Sequence, residues 1–184
     1  MHRLHTTLFV AGLAVAMGGA AYGQTPKTDT KTPAASAAGK MSGDTEFAQK
    51  AAMGGQHEVA GAKFAAGKAT NAAVKQLANK LVSDHTTANN ELAGLMKTKH
   101  IAPKNGPKPA PEAWRNEKGA AFDRAYLDHV IAEHEKDIAM FEAEAKDGTD
   151  AELKAWADKK LPALREHLKM AQDAKSKLST TTNQ

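Results

Sequence analysis

Leu127, Ile131, His134, Ile138 and Phe141 recur every three or four residues in the stretch YLDHVIAEHEKDIAMF, the repeat of one face of an α-helix. The same spacing runs through three further long segments. Four of the seven prolines fall in one break between these segments. This pattern limits the chain to long helices that bury one stripe each against their neighbours.

The first helix is expected from about Thr45 to Lys68, with Phe47, Ala51, Gly54, Glu58, Ala62 and Ala65 on its inner face. The second, from about Ala72 to Thr98, carries Val74, Leu77, Leu81, His85, Ala88, Leu92 and Leu95. HIAPKNGPKPAP follows, with four prolines and a glycine, and is read as the one long loop. A third helix is expected from about Glu117 to Lys146, ending at DGTD. Thr149 then opens the fourth, with Glu152 three residues later as a capping box. Its stripe is Leu153, Trp156 or Ala157, Leu161, Leu164, His167 or Leu168, and Ala171, and Pro162 is expected to kink it just before His167. TNAAVKQLANKL from Thr70 matches TDAELKAWADKK from Thr149 at the cap, alanine, aliphatic and lysine positions. The halves therefore read as two related helical hairpins. The expected fold is all-α, an antiparallel four-helix bundle whose hairpins are joined by the proline-rich crossover loop.

The chain opens with Arg3, an apolar run from Leu8 to about Met17, and Ala21-Tyr22-Gly23 before Gln24, which reads as a signal peptide over residues 1–23. The apolar run is too short to span a bilayer, which takes about 20 residues. Residues 24–43 are rich in Thr, Ala, Ser, Pro and Lys and read as a disordered tether. The helical domain is placed at 44–178 and a disordered tail at 179–184. A periplasmic or secreted protein is expected, with no transmembrane helix after cleavage.

The net charge of +4 sits mainly in these leading segments; from Asp44 onward there are 21 Lys and Arg against 20 Asp and Glu. Interleaved charges of both signs describe a solvated surface, so no nucleic-acid partner is expected. The absence of cysteine removes disulfides, thiol catalysis and thiolate metal sites.

Each expected helix carries one polar residue on its apolar stripe: Glu58, His85, His134 and His167. A lone histidine on such a stripe is ordinarily a hydrogen-bonded core residue. Glu58 alone could sit at the stripe's edge, and a small rotation would take His167 to the boundary. Their conjunction, one per helix, supports a shared site, because a buried carboxylate needs a cation, a proton or hydrogen bonds. His57 and His129 flank the stripes and are expected to face solvent; His100 belongs to the loop. Asp84, Glu133 and Glu166 precede candidate histidines and are expected to point outward. Asp137, one turn after His134, is an additional candidate ligand, and Met140 and Met170 are expected core filler.

Glu58, the Asp84-His85 pair, FDRAYLDHVIAEH and LPALREH together resemble the exported bacterial family called domain of unknown function 4142. That resemblance, carried by motifs in all four helices, implies a ferritin-like helical bundle. Ferritin-like proteins often hold two metals with a Glu-x-x-His pair on each of two helices. Here Val82, Ile131 and Leu164 stand where those glutamates belong, so a single divalent transition metal on Glu58, His85, His134 and His167 is expected, with zinc, iron or copper suited to the donors. No nucleophile elbow, phosphate loop or catalytic carboxylate pair is visible, which points to a binding protein rather than an enzyme. Metal handling or stress protection is one function class. The other is a metal-free helical interaction or stress-protective module of the cell envelope, open to an unidentified protein partner, with the histidines as hydrogen-bonded core residues.

Overall fold

The computed structural model describes residues 33–104 and 112–181. The expected signal peptide, the first part of the tether, the centre of the proline-rich loop and the end of the tail lie outside the described residues. Within them the chain is helical: α1 Pro33–Lys68, α2 Ala72–Thr98, α3 Glu112–Asn116, α4 Gly119–Asp147 and α5 Ala151–Thr181.

Two boundaries differ from expectation. The helix α1 begins at Pro33, inside the segment whose composition reads as a tether. Proline fits the first helical position, where its missing N–H is not needed, and the alanines that follow favour helix once α1 is nucleated downstream. The second difference is α3, a short helix at the end of the proline-rich break. Trp114 explains it: the ring is buried, with centroids 5.7, 5.6 and 5.3 Å from those of Phe64, Phe122 and Tyr126. At Pro162 the helix α5 continues, and that residue is exposed.

Contacts at the helix ends define the topology. Asp44 near the start of the packed part of α1 meets Thr149 and Asp150 at the start of α5, while Lys99 after α2 pairs with Asp150 at 2.7 Å. At the opposite end, Thr70 and Asn71 after α1 meet Asp123 in the first turns of α4. Helix α1 therefore runs antiparallel to α2 and to α4, and α5 antiparallel to α4 and to α2. Because α2 finishes at one end and α4 starts at the other, the connection between them crosses the length of the bundle.

The two ends are held by the same device. Asp123 accepts from the backbone N–H and the hydroxyl of Thr70 and from the N–H of Asn71. Asp44 accepts from the N–H and hydroxyl of Thr149 and from the N–H of Asp150. Asn71 and Asp150 then cap α2 and α5, each accepting from the two N–H groups two and three residues on. The fourth helix is thus capped by Asp150, and the expected Thr149–Glu152 box does not form; Glu152 instead pairs with Lys99 at 2.6 Å. Asp44 stands as far before Asp123 as Thr70 before Thr149. The same shift superposes buried Val74 on Leu153, Leu77 on Trp156, Ala78 on Ala157 and Phe47 on Tyr126. The structure is a doubled hairpin.

Apolar side chains form two cores. One gathers Leu77, Leu81, Trp114, Phe122, Tyr126 and Leu127 with small residues of α1 and α5. The other gathers Phe47, Leu92, Phe141, Leu153, Trp156 and Leu161. Glu58, His85, His134 and His167 occupy the layer between them.

Asp123 is fully buried and serves three donors, so Asp123→Ala leaves them without an acceptor and is expected to cost about 2–4 kcal/mol in denaturant melts. Asp128→Ala, which removes only an exposed ion pair to Lys175, is expected to cost less than about 0.5 kcal/mol. Equal losses in the two variants would contradict the role assigned to Asp123.

Candidate metal centre

His85 is placed by α2, His134 by α4 and His167 by α5, and all three are buried. Their ring centroids lie 5.3–5.6 Å apart. Each offers one ring nitrogen to a common point, and these nitrogens lie within 4.8 Å of one another.

The hydrogen bonds on the far sides of the rings decide which nitrogens those are. His134 Nδ1 lies 3.0 Å from the carbonyl oxygen of Val130, one turn back, and 3.3 Å from Glu58 Oε1. A carbonyl only accepts, so Nδ1 carries the proton and Nε2 keeps a lone pair. His167 Nε2 lies 2.8 Å from Asp84 Oδ2, and His85 Nδ1 lies 2.9 Å from Glu58 Oε2. Both carboxylates are ionised acceptors. At Glu58, burial works against the charge, but the His85 ring and then His134 and His167 outweigh it and hold the carboxyl at about 2. At Asp84, burial is likewise outweighed, by the His167 N–H and by Lys80, and the pKa falls below its usual value. In the neutral rings the free lone pairs are therefore on His85 Nε2, His134 Nε2 and His167 Nδ1, while the Glu58 charge raises the His85 pKa and favours a proton on its Nε2 when no cation is bound.

Two of these atoms face each other at 3.3 Å, His134 Nε2 and His167 Nδ1. The third, His85 Nε2, is buried without any partner. Neither arrangement is favourable for neutral imidazoles alone, since two lone pairs repel and a buried acceptor without a donor is costly. A cation between them resolves both. Two nitrogens bound to a tetrahedral ion at about 2.0–2.1 Å stand about 3.3–3.4 Å apart, which matches the observed pair.

Glu58, counted among the ligands from the sequence, lies on the outer side of the rings. Its Oε2 accepts from His85 Nδ1 and fixes that tautomer, while Oε1 lies 3.3 Å from His134 Nδ1, whose proton goes to Val130; this is the usual place of a carboxylate behind metal-bound histidine. Asp84 has the same position behind His167; it was expected to point outward, but the packing of α2 on α5 turns it to its partner. Asp137 is half-buried and stands outside the three-histidine set. Burial first and then the Glu58 charge push its carboxyl up to about 8. His57 and His129 are half-buried rather than solvent-facing, because Trp114 stacks on His129 at 5.6 Å and His57 packs edge-on at 6.0 Å. The signal that could have placed Asp84 is its position beside His85 on a helix with neighbours on two sides.

Burial pushes His134 down to about 4 against the pull of Glu58, and it lowers His167 as well. In the unfolded chain histidine titrates near 6.5. Below that pH the unfolded chain binds more protons at this ring, so His134 by itself removes on the order of 3 kcal/mol of stability as pH falls from about 6.5 to about 4. At His85, burial is outweighed by Glu58 and the pKa is raised, so its contribution is already complete below 6.5. Asp137 and Glu144, raised by burial to about 8 and about 7, bind protons in the folded protein that the unfolded chain does not and add stability over the same range. Denaturant melts of metal-free protein isolate the His134 contribution as a difference: between about pH 6.5 and 4, His134→Gln is expected to gain stability relative to the unaltered protein as the pH falls. An unchanged slope in the variant would show that another group titrates.

Comparison with proteins of known structure yields a crystal structure of a DUF305 protein from Streptomyces coelicolor, named as secreted. The two are 14% identical, with a TM-score of 0.66 over 74% of this chain and 94% of that one, a likeness of fold. No curated protein matches the chain. Residues 29–174 match the family described as a domain of unknown function, DUF4142. With the match spanning all of the packed helices up to the last turns of α5, the chain belongs to the DUF4142 family.

Proposed function

We propose that the protein is an exported metal-binding helical bundle that holds one divalent transition metal on His85, His134 and His167. The observation that carries this reading is the pair of imidazole lone pairs facing each other at 3.3 Å, beside a third buried ring nitrogen with no partner. Neutral imidazole suits zinc, copper and iron, and the set contains no thiolate. Glu58 and Asp84 orient the rings, raise their basicity and offset part of the ion's charge. A proton shared by His134 and His167 is the competing way to join the lone pairs. It is disfavoured by the burial that lowers both pKa values.

Export is supported by the leader pattern at the N-terminus and by the secreted name of the structural neighbour. Among the described residues no helix is long and apolar enough to cross a membrane. The ferritin-like relationship is supported by the single long crossover and by the placement of the site in the middle of the bundle. Three histidines without a paired Glu-x-x-His favour metal handling or protection against metal stress over di-iron oxidation.

Calorimetry on tag-free protein is expected to show uptake of about one zinc ion per chain, with a rise in melting temperature. His85→Ala, His134→Ala and His167→Ala are each expected to abolish uptake, and His57→Ala and His129→Ala to preserve it. Glu58→Gln, which removes an orienting charge but no ligand, is expected to weaken affinity by about 10–100-fold. Absence of stoichiometric uptake by the unaltered protein would end the proposal. Complete loss in Glu58→Gln would return Glu58 to the ligand set.

A further inference from the structure

Two of the three histidines, His85 and His167, border a cavity of about 310 Å³. Glu58, His85 and His167 line it together with Phe141, Trp156 and Leu164. The doubled hairpin explains the space. Where the second hairpin carries His134 and His167, the first carries Gly55 and Ala88 at the equivalent positions, and both of these border the cavity. The Asn89 side chain packs onto Gly55, whereas the short side chain of Ala88 leaves space on one half where His167 fills it on the other. His85 is 6% exposed, and its Nε2 is the ring nitrogen with no protein partner.

The charges around the cavity are already matched. Glu58 sits between two imidazoles, Asp84 lies 3.2 Å from Lys80, and Lys160 at the rim lies 2.6 Å from Glu91. Apart from the proposed ion, no unpaired Lys or Arg among the described residues lines the chamber, and two carboxylates on its lining oppose an anionic ligand. The aromatic walls formed by Phe141 and Trp156 favour a flat ring, and the volume is at the small end of ligand sites.

The geometry points to a binding site for a small, flat, uncharged heteroaromatic molecule, whose single ring nitrogen would ligate the metal proposed above while its apolar body lies along the face made by Phe141 and Trp156, whose rings pack on each other with centroids 5.4 Å apart. This rests on the three-histidine metal reading. It adds to that reading a ligand of defined class and a reason for the cavity.

Cobalt(II) in place of the native ion reports coordination through its visible absorption. Full-length protein loaded with cobalt is titrated separately with imidazole, 4-phenylimidazole and benzoate. Expected are a band shift on binding 4-phenylimidazole at least tenfold more tightly than imidazole, and benzoate binding no better than imidazole. Ala88→Leu narrows the chamber without touching a ligand and is expected to erase the preference for the phenyl group while cobalt uptake persists. Ala163→Leu, on the facing helix, supplies the same test should the first variant fold poorly. Cobalt-loaded protein that binds the two imidazoles alike, prefers benzoate, or keeps its preference in both variants overturns the inference alone. Protein that takes up no cobalt overturns the metal reading and the inference together.

Discussion

Three imidazole lone pairs meet in the middle of a bundle otherwise packed with alanine, leucine and aromatic rings. Each points inward because the other nitrogen of its ring is held by an acceptor with no proton to give: Val130 carbonyl for His134, Asp84 for His167 and Glu58 for His85. The tautomers are thus set by groups outside the site, and the inward face is left rich in electron pairs and empty of protons. Such a layer is costly between two apolar cores. A cation between the rings, or a proton on His85, whose pKa Glu58 raises, would relieve that cost.

The scaffold that brings the rings together comes from repetition, whereas the site comes from departures from it. Asp44 and Asp123 fasten equivalent turns at opposite ends, and the helices between them bury equivalent positions. At the central layer the halves diverge: Gly55 answers His134, Leu164 answers His85, and Ala88 answers His167. Only Glu58 and Asp137 keep similar chemistry. One stays ionised between two imidazoles while burial and its neighbour's charge drive the other toward its neutral acid. Asymmetry therefore produces both the donor set on one side and the open chamber on the other.

Helices α1, α2, α4 and α5 were legible in the sequence because their apolar spacing is sustained over many turns, and the inner positions of His85, His134 and His167 followed from the same spacing. Three things were not legible. The tertiary capping of Thr70 by Asp123 and of Thr149 by Asp44 depends on which helix ends meet, a fact that no local pattern carries. The short helix α3 exists because Trp114 finds a pocket made by two distant helices. The division of labour between Glu58 and the histidines depends on which side of each ring a carboxylate approaches, a matter of a few ångströms that helical periodicity does not resolve. Asp84 shows the same limit, since a residue on the flank of one helix becomes interior when a second helix packs beside it.

The central claim is that the ion is held by ring nitrogens and that Glu58 stands behind them. X-ray absorption at the zinc edge, on tag-free protein carrying one equivalent of zinc, tests this most directly. The account predicts a shell at about 2.0–2.1 Å with the multiple-scattering pattern of three imidazoles, unchanged in Glu58→Gln protein given enough zinc to fill the site. A shell lacking imidazole scattering, or one that loses a ligand in that variant, would contradict it.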